Sequence, residues 1–270
     1  MATIHMLLQG KGGVGKSLVA SLLFQYLKEN DLPVKGCDTD PVNSTFSGYK
    51  EFDVQALDIM NGDDIDQRRF DRLIEDLCEL SPDAHVVVDN GASCFVALCG
   101  YLKENGALDF LKENGQEVLI HTVVTGGQAL TDTLKGLRSL TLHFPDVPIV
   151  VWLNPYYGEI VLDGNDFYGF KVYAEASATF QAVIELPALR PNTFGRDLED
   201  LLARRASFAA AVKSPRLHLM ARQRLAMIWR NIKQVIDRAG LIEIKPGGDP
   251  NIIYPPPRSA DQAGTAPTLN

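Results

Sequence analysis

The sequence predicts a doubly wound α/β fold: a mostly parallel sheet flanked by helices, with a helical C-terminal end and a disordered tail. Three observations predict it. A short apolar run, a glycine-rich turn and a helical pattern follow one another at the start of the chain. Apolar runs of strand length then recur, several too continuous for a half-exposed strand. Segments of helical periodicity separate them.

In order, Thr3–Leu8 reads as a buried strand, Gln9–Gly15 as the turn and 17–29 as a helix with Leu18, Leu22, Leu23, Tyr26 and Leu27 at helical spacing. A second strand ends at Cys37, just before Asp38-Thr39-Asp40-Pro41. Residues 66–80 carry Phe70, Leu73, Ile74, Leu77 and Leu80 on one helix face. The runs 85–89, 118–124, 147–153 and 182–186 read as further strands, with helices at 95–104, 107–114, 128–142 and 167–178. Beyond Pro187 two helices follow, at 196–211 and 216–239. Residues 1–240 therefore form one domain. Residues 241–270 read as a disordered, proline-rich tail, with six of the chain's 15 prolines from Pro246 onward.

Composition narrows the classes. With 46% hydrophobic and 22% charged residues in 270, the chain has enough apolar surface to fold. Its four cysteines form no CxxC pair, which excludes zinc-ribbon and thioredoxin-type readings and suits a reducing compartment. No run of about 18 apolar residues predicts a membrane span. The opening MATIHMLLQG lacks the basic start and cleavage site of a secretion signal, so a cytoplasmic protein is expected.

Gly10-Lys11-Gly12-Gly13-Val14-Gly15-Lys16-Ser17 matches the phosphate-binding pattern G-x-x-x-x-G-K-[ST], the P-loop of nucleotide-hydrolysing folds. Glycines let successive N–H groups converge on phosphate oxygens, and the helix that follows adds its positive end. Lys16 is expected to reach the β and γ phosphates and the Ser17 hydroxyl to bind Mg²⁺. Lys11 is not required by an ordinary loop of this kind. It is either a solvated loop lysine or a cation that neutralises phosphate on a nucleotide facing it. Asp38 and Asp40 after the second strand, and Asp89 at the end of 85–89, stand where a metal and an attacking water are handled. Asn154 ends another strand, where an asparagine caps a turn.

The box Lys11-Gly-Gly-Val-Gly-Lys16-Ser17 resembles the deviant Walker A box of the ParA/MinD ATPases. The resemblance covers about residues 1–240. It is nearest to the plasmid TraL- and StbB-like proteins in the words Asp38-Thr-Asp-Pro-Val-Asn43, Val88-Asp-Asn-Gly-Ala-Ser93, His121-Thr-Val-Val-Thr-Gly-Gly-Gln-Ala129, Val151-Trp-Leu-Asn-Pro155 and Thr193-Phe-Gly-Arg-Asp197. It implies a slow Mg²⁺-dependent ATPase that forms an ATP-dependent homodimer, with Lys11 reaching across it. It further implies Asp38 near the metal, Asp40 guiding water, Asp89 as the Walker B acid, and Asn154 with the loop at Pro187 beside the base. ATP and Mg²⁺ are the implied cofactors. A plasmid-encoded partner protein, in conjugative transfer or plasmid stability, is the implied context. Two departures stand out. The family commonly reads D-x-D-P-Q-x-N, one residue longer than the stretch here. It also often continues Asp-x-Pro-Pro where this chain has Asp89-Asn90-Gly91. They keep a second reading open, a nucleotide-binding adaptor with little turnover.

Charge is uneven. Residues 203–238 hold nine basic side chains and one acid, Asp237, for a net of +8 against −16 in the remainder. Such a segment is a non-specific DNA surface, a dock for an acidic partner or a solvated helix face. His121, within an apolar strand, and His85 read as core or strand-edge residues, and Trp152 and Trp229 as packing residues.

Overall fold

A computed structural model describes residues 1–242; the expected tail falls almost wholly outside them. Seven strands form one parallel sheet: β1 (Ala2–Leu7), β2 (Val34–Asp38), β3 (Val54–Ala56), β6 (His85–Asp89), β7 (Gln116–Thr125), β8 (Ile149–Asn154) and β9 (Phe180–Glu185). Their spatial order is β3-β2-β6-β1-β7-β8-β9. A two-residue-per-strand hairpin, β4 (Met60–Asn61) and β5 (Asp64–Ile65), stands apart. The helices are α1 (Lys16–Glu29), α2 (Phe70–Cys78), α3 (Phe95–Glu104), α4 (Ala107–Glu113), α5 (Leu130–His143), α6 (Lys171–Ala176), α7 (Arg196–Ala203), α8 (Phe208–Lys213) and α9 (Leu219–Ala239).

Strand alternation divides the core. Ile4, Met6, Val86, Val88 and Ile120 pack under α2 to α5, while Leu7, Val87, Val123, Val150 and Trp152 pack under α1 and the C-terminal helices. Residues Val19 to Leu27 of α1 are buried all round, because α8 and α9 cover its outer side. Polar ties fix that cover. Trp229 donates to Glu29 at 2.7 Å, and the Phe208 N–H donates to Gln25 at 2.7 Å.

Several expectations change, among them the helix 167–178, which shortens to α6 between two tight turns. The short edge strand β3 was not anticipated. The expected helix 196–211 is broken into α7 and α8, because Arg205 takes a left-handed conformation, φ +50°, and Ser207 caps the new helix by accepting from the Ala210 N–H. Leu241, assigned to the tail by sequence, is buried against the α1 side of the core.

Three of the five histidines form one chain under α1. His5 contacts His121 at 3.0 Å and His85 at 3.1 Å, and Trp152 donates to His121 Nδ1 at 3.0 Å. Indole nitrogen only donates, so the tautomers follow in sequence. His121 is protonated on Nε2 and donates to His5 Nδ1; His5 Nε2 then donates to His85 Nδ1. Burial first, then repulsion from its neighbours, holds His5 well below the usual imidazole range, and burial pushes His121 down to about 3.

Candidate nucleotide site

The glycine turn sits at the C-terminal end of β1, in the centre of the sheet, where strand ends and the start of α1 converge. Gly13 and Gly15 have φ of +75° and +107°, conformations that only glycine adopts without strain. Gly10 leaves room for Phe95, whose ring would lie 2.9 Å from a Cβ there. The cleft over the turn is lined by Gly12, Gly13, Gly15, Lys16, Ser17 and Asp40 of the expected set. Leu18 of α1, Val42, Asn43 and Thr45 from the loop after β2, and Ala92 and Ser93 after β6, complete it.

Lys16 is 8% exposed. Burial lowers its pKa, and the charges of Asp89 and Asp40 oppose the shift. Its Nζ rests on the Lys11 carbonyl at 3.3 Å, curled over the loop it follows.

The carboxylates meet at adjacent strand ends. Asp38 on β2 pairs in register with Asp89 on β6. Both are 2% exposed. Asp38 accepts from the Asp40 N–H at 3.1 Å and the Ser47 N–H at 2.9 Å. Asp89 Oδ1 is buried without a hydrogen-bond partner among the described residues. Burial, reinforced by Asp38 and Asp40, pushes the Asp89 carboxyl up to about 7 against the pull of Ser17 and Lys16. An orphaned carboxylate oxygen beside a serine hydroxyl and a second carboxylate is an oxygen donor set that suits Mg²⁺. The residues present fit that ion.

Asp40 Oδ1 accepts from the N–H groups of Val42 and Asn43 at 2.9 and 3.0 Å, closing the shortened loop on itself. Gly91 allows this close approach, since a Cβ there would stand 2.7 Å from the Asp40 carboxyl carbon.

Lys11 reaches away from the cleft and forms an ion pair with Asp132 on the first turn of α5, 2.9 Å long and exposed at both ends. Gln9, which the spacing rules did not single out, anchors the base of the loop. Its amide donates to the carbonyls of Val123 and Thr133 at 3.0 and 3.2 Å and accepts from the Lys11 N–H at 3.3 Å. Asn154 stands at the end of β8 but uses its amide locally. It donates to the Val14 carbonyl at 2.9 Å and accepts from the Tyr156 N–H at 3.2 Å, bracing the glycine turn from behind. Pro187 lies just past β9, next to that strand end, where the Leu186 N–H donates to the Leu153 carbonyl.

Of the nine basic residues in 203–238, two are neutralised: Arg224 by Asp197, and Lys233 by Glu29 at 2.8 Å. Arg204, Arg205, Lys213, Arg216, Arg230 and Arg238 are exposed.

No helix among the described residues is long and apolar enough to cross a membrane. Residues 5–251 match the family model described as CobQ/CobB/MinD/ParA nucleotide binding domain. The chain is 46% identical over 243 residues to Protein TraL of Escherichia coli, covering 90% of this chain and all of that one. It is 28% identical over 241 residues to Protein MobD of Acidithiobacillus ferrooxidans, covering 87% and 96%. Among solved structures it is similar to the septum site-determining protein MinD of Pyrococcus horikoshii complexed with Mg-ADP. That match has 15% identity and a TM-score of 0.48, covering 90% and 100%. The glycine turn, the paired carboxylates and the sheet that carries them thus stand in a chain that belongs to the CobQ/CobB/MinD/ParA nucleotide-binding family.

Proposed function

We propose that this protein is a slow Mg²⁺-dependent ATPase whose ATP-bound form pairs two copies of the chain, acting in plasmid transfer or positioning. The observation that carries the reading is the second lysine of the loop. Lys16 is buried over the cleft, whereas Lys11 is held only by an exposed ion pair that is cheap to break. A cation so placed is available to a second nucleotide site.

The loop N–H groups and Lys16 would hold the β and γ phosphates, with the start of α1 adding its partial positive charge. Mg²⁺, held by Ser17 with Asp38 and Asp89 behind it, would neutralise charge on the transferred phosphoryl group. Asp40 lines the cleft and would orient the attacking water. The pairing of subunits by ATP is a population shift toward the state that binds nucleotide better. The plasmid setting rests on the likeness to Protein TraL. The partner would be a plasmid-encoded protein, and the protein itself cytoplasmic.

One observation favours the adaptor reading. Asp40 Oδ1 is already engaged by Val42 and Asn43. Phosphate release measured for wild type, Lys16→Ala and Asp40→Asn separates the two. Turnover above the Lys16→Ala background, lowered in Asp40→Asn, supports the ATPase. Tight ATP binding with no turnover above that background, with or without DNA, favours the adaptor.

Non-specific DNA binding through the free cations of the C-terminal helices is part of the proposal. Arg224 is a poor probe because Asp197 already neutralises it. Arg230→Glu/Arg238→Glu should abolish retention of DNA on filters at low salt with ATP. Retention equal to wild type removes DNA from the proposal.

A further inference from the structure

Arg205 occupies a conformation that its side chain does not favour. It follows α7 at the position where glycine usually ends a helix, with φ +50°. The helix-ending bonds are in place: the Arg205 N–H donates to the Leu202 carbonyl at 2.9 Å and the Ala206 N–H to the Leu201 carbonyl at 3.4 Å. An L-residue here is strained relative to glycine, so the side chain must supply something glycine lacks. Ion pairing does not explain it, since Arg205 joins no salt bridge among the described residues.

What the side chain does is lie across Gly48. A Cβ on Gly48 would stand 2.6 Å from Arg205 Cδ and 2.7 Å from Cζ. Gly48 belongs to the loop that continues from Asp40. One residue earlier, the Ser47 N–H donates to Asp38 Oδ2 at 2.9 Å. Before that, Phe46 is fully buried, edge-on to Phe24 of α1 with ring centroids 5.9 Å apart. Beyond Arg205, the chain grips the same segment again. The Ser207 hydroxyl donates to Glu51, and the Phe208 N–H donates to Gln25 of α1. The stretch 46–51 is thus pressed onto α1 by the start of the C-terminal helices, and its inner edge holds one oxygen of Asp38.

We propose that Arg205 is a positioning residue of the nucleotide site: by clamping Gly48 it keeps the Ser47 N–H on Asp38, and so ties the Asp38–Asp89 carboxylate pair to the C-terminal helices. The proposal rests on the Mg²⁺–nucleotide reading above. It assigns the strain at Arg205 to function and makes the loop after Asp40 a mechanical link between nucleotide and the basic end of the molecule.

The test is titration of the full chain with ATP carrying a fluorescent ribose label, once with Mg²⁺ and once with EDTA, for wild type, Arg205→Gly and Arg205→Lys. Melting temperatures without ligand accompany it. Glycine relieves the left-handed strain, so Arg205→Gly should melt at or above wild type. Its affinity in EDTA should be unchanged, while the extra affinity conferred by Mg²⁺ should fall roughly fivefold, the net contribution of about one hydrogen bond. Arg205→Lys, which keeps a long stem over Gly48, should recover most of the loss. Gly48→Ala should mimic Arg205→Gly, and the double variant should be no worse than either single one. An undiminished Mg²⁺ increment in Arg205→Gly overturns the proposal. So does an equal loss in both buffers with a lower melting temperature, which would make Arg205 a packing residue only. A wild-type protein that binds the probe in neither buffer overturns the nucleotide reading itself, and this proposal with it.

Discussion

Asp89→Asn should stabilise the cation-free protein while disabling it. The wild-type carboxyl is 2% exposed, carries an orphaned oxygen and is pushed up to about 7. An unfolded aspartate titrates near 4. Between those values the folded state holds a proton that the unfolded state has lost. Stability without a cation therefore falls as pH rises from about 4 and is lowest above about 7. Three pKa units at about 1.4 kcal/mol each give a penalty on the order of 4 kcal/mol at pH 8. Asparagine has nearly the same shape, still accepts from Ser17 and never ionises, so it should remove that penalty. The assay is urea unfolding in EDTA from pH 4.5 to 8.5, for wild type and variant. The difference should be near zero at the acid end and grow in favour of the variant toward pH 8. Stabilisation of the wild type by Mg-ADP should be lost in the variant. An Asp89→Asn protein that is less stable than wild type at pH 8 in EDTA, or whose difference from wild type does not change with pH, would refute the reasoning. Either result would mean that the site relaxes around the charge without help from a cation.

The histidine chain predicts the opposite slope at acid pH. His121 stays neutral in the fold down to about 3 and would protonate near 6.5 when unfolded, so its contribution is complete above 6.5 and is lost as pH falls. At pH 5 this amounts to about 2 kcal/mol relative to pH 7.5. Calorimetry of Asp89→Asn, which lacks the opposing carboxyl, should therefore show melting falling by roughly 4–8 °C over that interval, and a flat profile would contradict the buried, neutral assignment. Asp132→Asn should leave the melting temperature unchanged, because the Lys11–Asp132 pair is exposed. It should nonetheless lower the protein concentration needed for ATP-driven pairing by roughly two- to fivefold, read by sedimentation. Weaker pairing would mean that Asp132 supports the interface rather than restraining Lys11.

The parts legible in the sequence are those whose physics is local. The glycine turn, the Lys16–Ser17 pair and the acid ending Val86-Val87-Val88 need only backbone geometry and periodicity, and each stands where it was expected. Illegible parts depend on residues far apart in the chain. The three-residue strand β3 has no apolar run of its own and exists because the edge of β2 is there to pair with. The break after α7 carries no glycine, since arginine takes the left-handed position. His5 joins His121 and His85 only once β6, β1 and β7 lie side by side. The basic segment looked uniform because Asp197 and Glu29, which neutralise two of its members, lie outside it. The family resemblance makes Asn154 a candidate base contact, and its bond to the Val14 carbonyl across 140 residues has no signature in either segment.

The most direct test of the account is solution mass by light scattering with Mg-ATP and with Mg-ADP. Asp40→Asn should be used beside wild type, because on the proposed role of Asp40 it would slow hydrolysis yet keep the oxygen that closes the loop on Val42 and Asn43. The account predicts a doubling of the monomer's 29.7 kDa with Mg-ATP only, abolished by Lys11→Ala. A mass that is the same with either nucleotide, or a doubling that survives Lys11→Ala, would contradict it.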